Sequence, residues 1–179
     1  MSSMALLEHS ASSFDEYVDG GGGRGLERAL AMTPEQVIEE VSFSGLRGRG
    51  GGGFPTGRKW LAVRTTGTGA RYVVCNAAEG EPATFKDRLL IRRNPYRVID
   101  GAEIAAHAVG AEQAFIGIKD SFTTEIELLT RALHEMDDAD ALPVPIGLVA
   151  GPDHYLLGEE TALLEVIEER DPLPRAAQP

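Results

Sequence analysis

Three short apolar runs, Arg71 to Cys75 (RYVVC), Ala114 to Ile118 (AFIGI) and Val144 to Val149 (VPIGLV), are separated by segments whose apolar residues recur at helical spacing. Each run suits a buried strand, and strands divided by helices are the pattern of an α/β layer with a mainly parallel sheet. The helices carry their own signals. Asn94 and Pro95 form a start for a helix with Val98, Ala102, Ala105 and Val109 on one face, and Gly110 ends it. Asp120 or Ser121 is expected to cap the next, along which Phe122, Ile126, Leu129, Leu133 and Met136 form a stripe. Upstream, Thr33, Pro34 and Gln36 supply a capping threonine, a proline at the first helical position and a capping-box partner for a helix bearing Val37, Ile38 and Val41, which Gly45 stops. Residues 1 to about 25 are rich in serine, end in the run Gly20 to Gly23 and lack an apolar period, so they are expected to be weakly ordered. The α/β domain is expected over residues 26–179, a length at which one core buries about 70% of the unfolded surface.

Between the first helix and the first strand lies GLRGRGGGGFPTGRKW, Gly45 to Trp60, with seven glycines and four cationic side chains in sixteen residues. Glycine admits φ > 0 and removes the Cβ that would hold a ligand away, so successive N–H groups can converge on an anion. Arg47, Arg49, Arg58 and Lys59 supply charge, and Arg64 and Arg71 extend it, with no Asp or Glu between Glu40 and Glu79. In a chain of net charge −11 this is a local reversal of sign. The loop follows a helix, whereas a Walker phosphate loop or a Rossmann fingerprint follows a strand. An overall pI near 4.8 argues against a nucleic-acid partner and favours a compact anionic ligand. No apolar run approaches the ~20 residues that span a bilayer, and the N-terminus lacks the pattern of a signal peptide.

Two further segments point to a site. After the first strand comes CNAAEGEPATFKDR, Cys75 to Arg88, and ligands of open α/β sheets lie beyond the carboxyl ends of strands. Asn76 has the donor and acceptor to read a heterocycle edge, and Glu79 and Glu81 can accept from ribose hydroxyls. The same residues also suit a plain acidic turn ending in Pro82. Past the third strand, Gly158 to Thr161 (GEET) places Glu159 and Glu160 in the first turn of a helix with Leu163, Leu164 and Ile167 facing inward, where the helix dipole alone accounts for acids. His9, His107, His134 and His154 show no metal-ligand spacing, and Asp137, Asp138 and Asp140 lack the glycine and terminal glutamate of a calcium loop. Trp60 reads as a core anchor and Cys75, the only cysteine, as a buried small hydrophobe. A single cysteine excludes an intramolecular disulfide and a cluster of cysteine ligands from this chain alone.

Taken in order, SGLRGRGGGGFPTGRKW, VCNAAEGEPATFKDR and YLLGEETALLE resemble the family of flavin- and NADH-binding 51 kDa subunits of respiratory complex I, whose relatives include diaphorase subunits of NAD-linked hydrogenases and formate dehydrogenases. The resemblance runs from about Thr33 to Pro179 and implies a Rossmann-like α/β sandwich with FMN and NAD as cofactors. Gly48, Arg49, Gly50, Gly51, Gly53, Gly57 and Lys59 then correspond to the loop around the FMN phosphate and the dinucleotide, and Phe54 to an aromatic that stacks on adenine. Asn76 and Glu79 match residues near the flavin and nicotinamide rings. Glu81 and Glu160 match carboxylates that disfavour a 2′-phosphate, and Gly158 and Glu159 match a segment contacting FMN. Among these, Glu79 and Glu160 are the positions expected to bear on hydride transfer. An iron–sulfur subunit is implied as electron acceptor, with no cluster and no metal on this chain, no membrane insertion, and a cytoplasmic location at the inner face of a membrane complex.

Departures from the family pattern leave a second reading open. Ala78 stands where Asp is usual, Ala83 where Gly is usual, Ala62 where a second aromatic is usual, and Leu157 where Cys is usual. The chain therefore reads either as an electron-input module oxidising NADH through FMN, or as a truncated or diverged relative that binds nucleotide or a partner without turnover.

Overall fold

Residues 9–49, 52–66 and 69–175 are described by the computed structural model. Helix α1 (Phe14–Asp19) starts at Ser13, whose side chain accepts from the Glu16 N–H. Its Tyr17 is buried, stacks on Tyr96 with ring centroids 5.4 Å apart, and donates its hydroxyl to Asp100 Oδ2 at 2.5 Å. The Phe14 N–H donates to Glu135 Oε2 at 2.8 Å. From residue 9 onward the stretch expected to be weakly ordered is thus docked on the core. Tyr17 does this with buried Ala11 and partly buried Phe14, a short apolar set that the surrounding serines and glycines obscure in the sequence. Helix α2 (Arg24–Leu30) buries Leu26 and Ala29. Helix α3 (Pro34–Phe43) has the expected capping box, with Thr33 and Gln36 satisfying each other's N–H groups, and Gly45 leaves it at φ +70°. Helix α4 (Thr56–Thr65) begins inside the segment read as loop and packs Trp60 with Val37, Ile38 and Ala108, in keeping with a core anchor.

The apolar runs form β1 (Tyr72–Ala77), β2 (Gln113–Lys119) and β3 (Ile146–Gly151), a parallel sheet in the order β1-β2-β3. Parallel neighbours need crossovers. Helices α5 (Lys86–Arg93) and α6 (Pro95–Val109) join β1 to β2, and α7 (Thr123–Asp138) joins β2 to β3. Asn94 caps α6 by accepting from the Arg97 N–H at 3.1 Å, and Gly110 closes it in the left-handed region, both as expected. The cap expected for α7 is different. Phe122 occupies that position with no side-chain bond, because Asp120 lies in a turn whose N–H donates to Gly151 O at 2.8 Å and ties β2 to β3.

The alternation of β2 divides the core. Ala114, Ile116 and Ile118 are fully buried, the two isoleucines packing with Tyr96, Ile99, Leu129 and Met136 of α6 and α7. On the opposite face Gly117 has no side chain, and a Cβ there would lie 2.9 Å from Leu163 Cδ2 of helix α8 (Glu160–Ile167). Glycine lets α8 rest directly on the strand. Leu157, in a short 3-10 turn (Tyr155–Gly158), packs beside Leu163 and Ala78 with no exposed surface, so the leucine that stands in place of cysteine is a core residue worth about 2 kcal/mol of apolar burial. Helices on both faces of a parallel sheet complete the α/β sandwich. Among the described residues no helix is long and apolar enough to cross a membrane.

Candidate nucleotide-binding site

The glycine loop is a narrow tongue pinned at its base. The Thr56 N–H donates to Leu46 O at 3.0 Å, the Gly48 N–H donates to Phe54 O at 2.9 Å, and Arg47 and Pro55 form an antiparallel bridge. Arg47 Nη1 also donates to Gly53 O at 3.2 Å. Gly52 and Gly53 have open space around the Cβ position, and Gly53 sits at φ +50°, so this part of the tongue presents bare backbone. Gly50 and Gly51 lie outside the described residues. Gly57 has a different task. A Cβ there would come within 2.9 Å of the Ser42 Cα and N, so its small size serves the contact between α3 and α4.

The tongue faces the carboxyl end of the sheet. Arg49, Asn76, Glu79, Glu81, Gly158 and Glu159, all expected site residues, line one cavity of about 560 Å³ together with Ala78, Lys86 and Tyr155. That size suits a nucleotide-class ligand. Lys59 and Glu160 stand nearby as an exposed pair, Nζ to Oε2 3.8 Å. Phe54 is exposed, with the Arg58 guanidinium 5.9 Å from its ring centroid.

Much of the acidic wall is already bonded to the protein. Glu79 has a buried carboxylate, 3.5 Å from Lys86 Nζ and 3.6 Å from Arg88 Nε, and Oε1 accepts from the Asp87 N–H at 3.3 Å. Its Oε2 has no hydrogen-bond partner among the described residues. Glu159 is the N-cap of α8, one step earlier than expected. Its Oε2 accepts from the Thr161 hydroxyl at 2.5 Å and from the N–H groups of Thr161 and Ala162. The Thr161 hydroxyl, with these amides, holds its carboxyl below the usual range against the opposing effect of burial. Asn76 donates to Gly158 O at 3.0 Å and accepts from the Ala78 N–H at 3.1 Å, so its amide clamps the end of β1 to the turn before α8. A Cβ at Gly158 would sit 3.0 Å from Ala78 O, which makes glycine the fitting residue there. Glu81 is exposed, and its carbonyl accepts from the Thr84 N–H at 3.2 Å. Within that turn Ala83 has φ 62°, a left-handed conformation that costs an alanine about 1 kcal/mol and suits the glycine it replaces.

A second group of residues was not foreseen. Lys119, nearly buried at the end of β2, pairs with Asp153 Oδ1 at 2.8 Å, and its Nζ lies 3.5 Å from the Cβ position of Gly80. Lys119 and Arg88 both stand over the Phe122 ring, at 5.9 and 4.9 Å. These contacts join the loops that follow the three strands. The strand-end rule that singled out Asn76, applied to β2, would have found Lys119. Cys75 is half-buried and not the buried hydrophobe expected, but desolvation, helped by Asp87, still pushes its thiol up to about 11.

Comparison with known proteins adds an independent line. The profile of the Nuo51 FMN-binding domain matches residues 41–179. An NADH-quinone oxidoreductase subunit of Aquifex aeolicus is 42% identical over 93% of this chain and 41% of its own length. NAD-reducing hydrogenase HoxS subunit alpha of Cupriavidus necator is 40% identical over 86% of this chain and 27% of its own. The crystal structure of an air-oxidized NAD+-reducing NiFe hydrogenase superposes with a TM-score of 0.80 at 34% identity, over 96% of this chain and 30% of that one. The chain therefore spans about two fifths or less of the length of these relatives.

Proposed function

This chain belongs to the Nuo51 FMN-binding domain family, and from that premise we propose that it holds FMN between the glycine tongue and the carboxyl end of the sheet, with NADH beside it, as an electron-input module. The observation that carries the reading is the convergence of Arg49, Asn76, Glu79 and Gly158 on one cavity. The residues present fit such a ligand. Exposed Arg49 and the bare backbone at Gly52 and Gly53 supply donors for a phosphate, and Asn76 and Glu79 line the same cavity as Arg49.

Each arm has its own work. Arg49 and Lys59, with the tongue's amides, hold phosphate. Phe54 offers its exposed face to adenine. Glu81 and Glu160 accept from ribose hydroxyls and repel a 2′-phosphate, which favours NADH over NADPH. Asn76 and Glu79 stand beside the reacting rings. When bound, FMN supplies the redox chemistry, accepting a hydride from NADH at N5 and passing electrons on singly, so the chain must hold the two rings in contact and keep water out. No side-chain base is needed for that transfer. The acceptor is an iron–sulfur subunit of a larger assembly on the cytoplasmic side of a membrane, in line with relatives named as subunits of NADH-quinone oxidoreductase and NAD-reducing hydrogenase.

One observation favours a second reading, binding without turnover. Ala78 is buried at the cavity wall and offers only a methyl group where the family usually has a carboxylate. Titrating FMN into the purified chain while following flavin fluorescence, then adding NADH without oxygen, separates the two. The module reading expects fluorescence to change on binding and flavin absorbance to bleach with NADH. Binding without bleaching leaves the second reading, and no change at high protein concentration overturns the first.

A further inference from the structure

Arg58 and Ala62 lie four residues apart on one face of α4, and Phe54, just before the extended Pro55 cap, lies beside Arg58. Phe54 is about half exposed, and Arg58 is exposed beside it. Its neighbour Lys59 pairs with Glu160, whereas Arg58 enters no ion pair among the described residues and stands over an aromatic ring instead. The distance is informative. Flat groups in direct contact lie about 3.5–4 Å apart, and a flat base between them requires about 7 Å. At 5.9 Å from the Phe54 centroid, the Arg58 guanidinium is neither collapsed on the ring nor withdrawn from it, and an opening of about 1 Å makes room for a purine. The next residue on this face, Ala62, contributes only a methyl group and leaves the approach open.

We propose that Arg58 forms the second wall of the adenine site, with the purine stacked between its guanidinium and the Phe54 ring. This rests on the reading above, in which Phe54 carries adenine, and adds a residue to it. A planar guanidinium is weakly hydrated and stacks on π faces, so it serves as a wall where an aromatic is absent. The binding is therefore a stack and not a phosphate pairing, although the side chain is cationic.

Calorimetric titration of the chain with ADP-ribose, at low and high salt, tests it on the wild type, Arg58→Ala and Arg58→Phe. Because Arg58 is exposed, the variants are expected to fold, and their melting points check this. Arg58→Ala is expected to weaken binding roughly 3- to 20-fold, by the same factor at both salt concentrations, and Arg58→Phe to restore most of the loss. A loss that vanishes at high salt and is not restored by phenylalanine would make Arg58 a phosphate contact and overturn the stack. Unchanged affinity in Arg58→Ala, with normal wild-type binding, would overturn the proposal alone. Failure of the wild type to bind ADP-ribose would overturn the assignment of adenine to Phe54 as well.

Discussion

The two arms of the candidate site are built in opposite ways. On the glycine-motif arm Arg49 of the tongue and Arg58 and Lys59 at the start of α4 are exposed, and the backbone around Gly52 and Gly53 is bare. On the sheet side the functional groups are largely engaged, with Glu79 held by Lys86, Arg88 and the Asp87 amide, Glu159 capping α8, and Asn76 bridging Ala78 and Gly158. The difference teaches that adjacency to a ligand site has two physical origins. The tongue spends Arg47 and the Gly48 N–H on pinning its base and leaves Arg49 and the backbone at Gly52 and Gly53 exposed. The sheet side presents a wall whose polar groups shape the cavity by bonding to one another, Glu79 Oε2 facing Arg88 Nε at 3.6 Å.

Substitutions can break this contrast. The largest effect is expected where the tongue departs from its own rule. Gly57→Ala forces a methyl onto the Ser42 backbone between α3 and α4 and should cost about 2–3 kcal/mol in urea unfolding, whereas Gly52→Ala should leave stability near the wild type. Equal stability of the two variants would remove the distinction between packing and ligand-facing glycines. Next, Glu79→Ala leaves two cations facing a vacated buried site. Lys86 and Arg88 are partly exposed and can turn to solvent, so a loss of about 2 kcal/mol is expected, below that for breaking a fully buried pair. A neutral result would show that the wall does not depend on this carboxylate. Smallest is Glu159→Ala, which removes the cap of α8 at about 1 kcal/mol. The pH dependence gives its signature. A carboxyl whose folded value is depressed stabilises above its unfolded value, near 4.5, and loses that contribution as pH falls through the folded value. The difference between wild type and Glu159→Gln should therefore shrink on acidification, and a difference independent of pH would mean that the carboxylate does not cap.

Local signals account for what the sequence revealed. The strands, the Thr33 capping box, the Asn94 cap and the closing Gly110 each depend on residues within a few positions, and all are present. The N-terminal anchor was not legible, because Tyr17 finds Asp100 from 83 residues away and the helix that carries it has only six residues. The site shows the same limit. Motif order brought Arg49, Asn76, Glu79, Glu81, Gly158 and Glu159 to one cavity, but spacing alone could not reveal that Gly57 meets Ser42 or that Glu159 is occupied by Thr161. Glycine looks the same in a sequence whether a ligand or a serine fills the place of its side chain. Lys119 went unnoticed because it lies beyond the three motifs, and only the fold places it under Gly80.

Phosphate recognition by the tongue is the central claim, and flavin affinity tests it most directly. Dissociation constants for FMN and for riboflavin, which lacks the phosphate, should be measured by fluorescence titration on the wild type and on Arg49→Ala combined with Lys59→Ala. Removing two charge-assisted hydrogen bonds from a partly solvated site should weaken FMN roughly 10- to 100-fold while leaving riboflavin nearly unchanged. An unchanged dissociation constant for FMN, or an equal loss for both flavins, would contradict the account.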